Sequence, residues 1–60
     1  MKKMIIKSID DFEIVEIYIN EECIKTLTYD QHGSTGIELG VEIAKKIANE
    51  LSLEIVEIEE

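Results

Sequence analysis

The residues able to do chemistry are few. His32-Gly33-Ser34-Thr35-Gly36 places a histidine, two hydroxyls and two glycines just before a stretch of helical periodicity. A helix N-terminus offers free backbone N–H groups and the positive end of the helix dipole, so Gly33, Ser34, Thr35 and Gly36 form a candidate anion-binding loop. The segment lacks the Gly-Lys-[Ser/Thr] of a P-loop and the full dinucleotide pattern, and Glu38 would repel a phosphate. An ordinary capped turn is the plainer reading. His32 is the single histidine and Cys23 the single cysteine. A nucleophilic triad needs a base beside its nucleophile and a third group to orient it, which one His and one Cys do not supply from sequence. Cys23 reads as a small strand residue, and a lone cysteine excludes an internal disulfide and a cysteine-based zinc cluster.

Carboxylates are the remaining chemical resource. Asp10 and Asp11 end one candidate strand, Glu38 opens the helix, and Glu57, Glu59 and Glu60 end the chain. Brought together, such acids could hold Mg²⁺ and support a minimal metal-dependent nuclease. With 14 acids in 60 residues, chance proximity explains the same pattern. The expectation is therefore no catalytic residue, no metal, no cofactor and no enzyme activity.

Four strands and one helix must position these groups. Residues 3–9, 12–19 and 23–29 are rich in β-branched side chains and read as strands, broken at Asp10-Asp11 and Asn20-Glu21-Glu22. Residues 30–34 read as a loop. Thr35 and Glu38 have capping-box spacing, and Ile37, Gly40, Val41, Ala44, Ile47, Ala48 and Leu51 recur at helical steps. Leu39 and Ile43 widen that stripe to one side. Residues 53–58 read as a last strand. The order βββαβ implies a single α+β domain spanning residues 1–60. Its sheet is four-stranded and mixed, with strand order 3-2-1-4 preferred over 4-3-2-1.

Size and charge narrow the function. No apolar run approaches a membrane span, and Lys7 cuts the Met4-Ile5-Ile6 run that follows a charged N-terminus, which argues against a signal peptide. A cytoplasmic protein is expected. The formal charge of −8, with six lysines and no arginine, opposes direct binding to nucleic acid or to anionic lipid. Basic protein surfaces are the natural complement. Twelve of the 27 apolar residues are isoleucine, so the core is aliphatic. A chain this short buries only about 60% of its unfolded surface, which makes oligomerisation a common remedy.

Two-residue turns would sort the strand side chains by parity. One face carries Met4, Ile6, Val15, Ile17, Ile19 and Ile24 and takes the helix. The other carries Ile5, Ile9, Phe12, Ile14, Tyr18, Cys23, Leu27 and Tyr29, mixed with Lys3, Lys7, Glu16 and Lys25. A single helix covers one face, so the second is expected to meet a second copy or a foreign protein. Phe12, Ile14, Glu16, Tyr18, Lys25, Leu27 and Tyr29 are the expected interface. Glu13, Glu21 and Glu22 would steer the approach.

The stretch from Cys23 to Glu60 resembles the ribonuclease H-like topology, in which a strand meander leads to a helix opening with Glu-Leu, here Glu38-Leu39. HicB-type antitoxins are similar to a truncated version of that topology and act as stoichiometric inhibitors. The resemblance implies a binding role. The expected function is a small acidic inhibitor, antitoxin-like or of phage counter-defence type. It would be homodimeric and would block a larger, nucleic-acid-processing protein. An oligomeric anion- or nucleotide-binding protein using residues 33–36 is the alternative, and the minimal nuclease is the second alternative.

Overall fold

The computed structural model describes residues 2–60, so Met1, the first residue of the charged N-terminal stretch, lies outside the description. The elements are β1 (Lys3–Ile9), β2 (Ile14–Ile19), β3 (Glu22–Thr28), α1 (Tyr29–Glu50) and β4 (Glu54–Glu59). They form one four-stranded sheet of order β3-β2-β1-β4 with the helix packed on one face. β1 pairs antiparallel with β2, β2 antiparallel with β3, and β1 parallel with β4. This is the α+β arrangement that the element order implies. No helix among the described residues is long and apolar enough to cross a membrane.

The core follows from strand alternation meeting helical periodicity. Met4, Ile6, Val15, Ile17 and Leu27 project from the sheet toward Ile37, Ala44 and Ala48 of α1, and all eight are buried. Ile19, Val41, Leu53 and Ile55 pack around them. Small residues on the helix let it lie close to the sheet. A Cβ on Gly40 would stand 2.5 Å from Leu27 Cδ1, so Leu27 occupies the space that a side chain there would need. Ser8 is the buried polar residue of the sheet, and its hydroxyl donates to the Ile58 carbonyl at 3.3 Å.

The turns decide which expectations survive. Residues 10–13 make a four-residue turn, so Phe12 precedes β2 instead of opening it. Ile9 then faces Ile14 and Ile6 faces Ile17. The pairing slides by two residues relative to a two-residue turn. An even slide keeps every side chain on its expected face. Asn20 and Glu21 do form a two-residue turn, with φ of 51° and 71°, as the hairpin geometry requires. Between β2 and β3, however, the register shifts. Tyr18 faces Cys23 while Ile17 faces Lys25, which leaves Ile24 as the extra residue of a β-bulge.

That single inserted residue moves the rest of β3 to the opposite face. Leu27, expected on the open face, faces Val15 and is 4% exposed beneath the helix. Ile24, expected in the core, is 49% exposed. Lys25 leaves the open face, since Thr26 and not Lys25 stands opposite Glu16. Parity counting is sound within an unbroken ladder and fails across a bulge.

The helix also begins earlier than its periodicity indicates. Thr28 is the N-cap, and its hydroxyl accepts from the Gln31 amide at 3.4 Å. Tyr29, expected to end a strand, therefore starts α1, and residues 30–32 form a helical turn in place of a loop. Gly33, with φ 69° and ψ 173°, breaks the helix there. A left-handed φ favours glycine. Thr35 lies beyond the break inside the helix, so it is not the cap that its spacing with Glu38 suggests. The C-terminus closes in a Schellman arrangement. Ser52 takes φ 57° and donates to the Asn49 carbonyl at 3.2 Å, and Leu53 donates to Ala48 at 2.8 Å.

The bulge has a measurable consequence. Truncating Leu27 to Ala removes a buried side chain and is expected to cost about 2–5 kcal/mol in a denaturant melt. Ile24→Ala, at a half-exposed site, should cost less than about 1 kcal/mol. The reverse ranking would mean that β3 continues in register without the extra residue.

Candidate binding surfaces

Three surfaces collect the residues that remain available for recognition. The first is a cleft of about 510 Å³ between the β1–β2 turn and α1. Its position follows from one backbone contact, in which the Tyr29 amide donates to the Glu13 carbonyl at 2.8 Å. That bond ties the tip of the hairpin to the first turn of the helix and sets Phe12 and Tyr29 on the same opening. Ile37 and Val41 also line it, with Asp11, Glu38 and Glu42 as its acids and Ser34 as its hydroxyl. Lys45 lines it too, but its Nζ lies 3.1 Å from Glu57 Oε1, so its charge is already matched. Phe12 and Tyr29 were expected on the open sheet face. They stand here instead, 49% and 55% exposed.

The turn that carries Phe12 is unusual. Asp10, Asp11 and Phe12 have φ of 52°, 53° and 68° in succession. Aspartate tolerates the left-handed region, whereas a bulky aromatic there is an outlier. The turn is held by Glu13 donating to the Asp10 carbonyl at 3.2 Å and by Asp10 donating to the Glu60 carbonyl at 3.3 Å.

The second surface is the sheet face away from the helix. Ile5, Ile9, Ile14, Glu16, Tyr18 and Val56 lie there, all of intermediate exposure. No element among the described residues covers them. The Tyr18 hydroxyl donates to Glu16 Oε1 at 2.8 Å, and Lys7 pairs with Glu60 at 3.4 Å. Of the expected interface residues, Ile14, Glu16 and Tyr18 are therefore together, while Leu27 is in the core, Lys25 is on the edge strand, and Phe12 and Tyr29 belong to the cleft. Glu13, Glu21 and Glu22 are exposed, in or beside the two turns.

The third surface joins Leu39 and Ile43, which widen the helix stripe in sequence, to Ile47 and Leu51, which the periodicity places in the stripe facing the sheet but which the helix turns toward solvent instead. Leu39, Ile43, Ile47 and Leu51 recur every four residues along one flank of α1 and are 54%, 59%, 46% and 62% exposed. They form a row about 18 Å long at 1.5 Å per residue. The helix therefore carries one apolar face into the core and a second into solvent. The signal was a stripe too wide for one contact face.

The anion-loop residues stay contiguous at the helix break, in the turn where the helix resumes. Gly33 is the break itself, Ser34 lines the cleft, and Thr35 is exposed. Gly36 is needed for packing, because a Cβ there would sit 2.9 Å from the Cβ of His32. His32 turns its Nδ1 back toward Thr28, at 3.3 Å from both its amide nitrogen and its carbonyl oxygen. Among the described residues no group of three or more His, Cys, Asp or Glu side chains is placed to hold a metal ion. No such group of three forms among Asp10, Asp11, Glu38, Glu57, Glu59 and Glu60.

Comparisons with protein-family models, with curated proteins and with solved structures found no match. The resemblance to ribonuclease H-like and HicB-type domains rests on element order alone.

The hydrogen bond to Glu16, followed by partial burial, holds the Tyr18 phenol above its usual value of about 10. Its stabilising effect is complete below about pH 10 and is lost as pH rises through the higher folded-state value. In a Tyr29→Phe background, Glu16→Gln should lower the Tyr18 phenolate absorbance midpoint toward 10. An unchanged midpoint would show that the bond is absent in solution.

Proposed function

We propose that this is a small acidic protein-binding protein, not an enzyme, that acts by occupying a basic surface of a larger protein. Nucleic-acid-processing enzymes carry such surfaces, and a stoichiometric block of one of them is the inhibitory role that fits a phage counter-defence or antitoxin-like protein. The observation that carries this reading is the amount of apolar surface left uncovered on a protein of charge −8. Half-exposed Leu39, Ile43, Ile47 and Leu51 on the helix and the bare outer face of the sheet both exceed the scattered apolar residues that ordinary solubility explains. Charge supplies steering, and the apolar surfaces supply affinity.

The helix flank also supports homodimer formation. Its four residues are more exposed than those of the outer sheet face, and an unbroken i, i+4 row is a natural seam for a second helix.

Two measurements test the reading. Tagged protein should retain one defined partner from a lysate of its source, in a salt-dependent manner, and should inhibit that partner at a ratio near one to one. Loss of every specific partner at both low and high salt would refute it. Sedimentation at about 100 μM should show a dimer that Ile43→Asp converts to monomer, because burying an unpaired carboxylate costs several kcal/mol. A dimer that survives Ile43→Asp would place self-association on another face.

A further inference from the structure

We propose that the cleft between the β1–β2 turn and α1 receives an arginine side chain presented by the basic protein partner. The inference rests on the binding reading above and assigns it a specific receptor pocket. Three properties of the cleft select this occupant. First, its net charge is negative. Asp11, Glu38 and Glu42 line it, and the one cation present, Lys45, is paired with Glu57 at 3.1 Å. Second, no group of three or more His, Cys, Asp or Glu side chains among the described residues, these carboxylates included, is placed to hold a metal ion. A spread of acids around an opening of about 510 Å³ suits a broad, delocalised cation better than a compact ion. Third, two of the three aromatic side chains of the protein, Phe12 and Tyr29, line this one opening and are half exposed. An aromatic face attracts a guanidinium by stacking and by its quadrupole, and does so more effectively than it attracts a neutral group.

The local backbone is consistent with a site held in place. The Tyr29 amide to Glu13 carbonyl bond, at 2.8 Å, fixes the spacing of the two aromatic residues before any ligand arrives. Val41, only half-buried at the cleft wall, provides apolar surface for the methylene stem of the incoming side chain. A phosphate or a carboxylate would meet three like charges at the same place.

The test uses a defined probe and the intact protein. A short peptide with a central arginine between glycines is titrated into ¹⁵N-labelled protein, beside the same peptide carrying citrulline, the neutral isostere, and beside free agmatine. The arginine peptide should shift the amide resonances of residues 11–13, 29 and 38–42. Citrulline should weaken binding about tenfold or more, the range expected when a charge-assisted and stacked contact is lost. Glu38→Gln and Phe12→Ala should each weaken the arginine peptide by a similar factor. Glu54→Gln, which changes net charge equally at the far end of β4, opposite Lys3, should leave it within about twofold. Equal binding of the citrulline and arginine peptides, or shifts centred elsewhere, would overturn the proposal. Agmatine binding as tightly as the peptide would overturn the assignment to a protein side chain. A natural partner that is still captured while the arginine peptide fails would refute the cleft and leave the binding reading standing.

Discussion

Leu27 meets the helix at the point where α1 has no side chain, and the closeness of Gly40 to that residue sets the distance between the two layers. With Leu27 seated there, Ile37, Ala44 and Ala48 reach Met4, Ile6, Val15 and Ile17, and the small core closes. The contact exists because one extra residue, Ile24, turns the second half of β3 over. Without that bulge a threonine would face the helix and Leu27 would face water. With eight buried apolar residues among those described, the loss of one of the larger ones is a sizeable fraction of a marginal stability.

The same economy explains why so much apolar surface stays outside. A single helix laid across four strands has one stripe to bury, and the remaining aliphatic residues fall on its flank and on the far side of the sheet. The exposed row from Leu39 to Leu51 is therefore not a packing defect. The helix carries more apolar residues than one contact can use, and the surplus is arranged in a continuous line. On the proposed reading, the net charge of −8 would bias its encounters toward basic surfaces.

The cleft is built from segments that are distant in sequence and close in space. The hairpin tip brings Phe12 and Asp11, and the helix brings Tyr29, Glu38 and Glu42. The bond between the Tyr29 amide and the Glu13 carbonyl joins the two parts. The run of positive φ angles at Asp10, Asp11 and Phe12 is the kind of local cost that folds retain where a side chain must be aimed in a particular direction.

Element order, strand order and the aliphatic core of β1 and β2 were legible in the residues, because alternation and helical periodicity are local patterns. The lengths of β1 and β4 came within a residue for the same reason. The anionic character and the lack of an internal disulfide or cysteine-based zinc framework were equally plain from composition. The fate of Leu27, Ile24 and Lys25 was not, because a bulge is chosen by pairing across strands and leaves no signature in a single strand. Nor was the gathering of Phe12 and Tyr29, since a four-residue turn and an early N-cap at Thr28 had to act together. Local physical chemistry in the chain determined which residues are apolar, which segments are extended or helical, and the sign of the charge. The tertiary structure decided which face each β3 residue occupies and which distant residues share a cleft, because those depend on register and on hydrogen bonds between segments that meet only after folding.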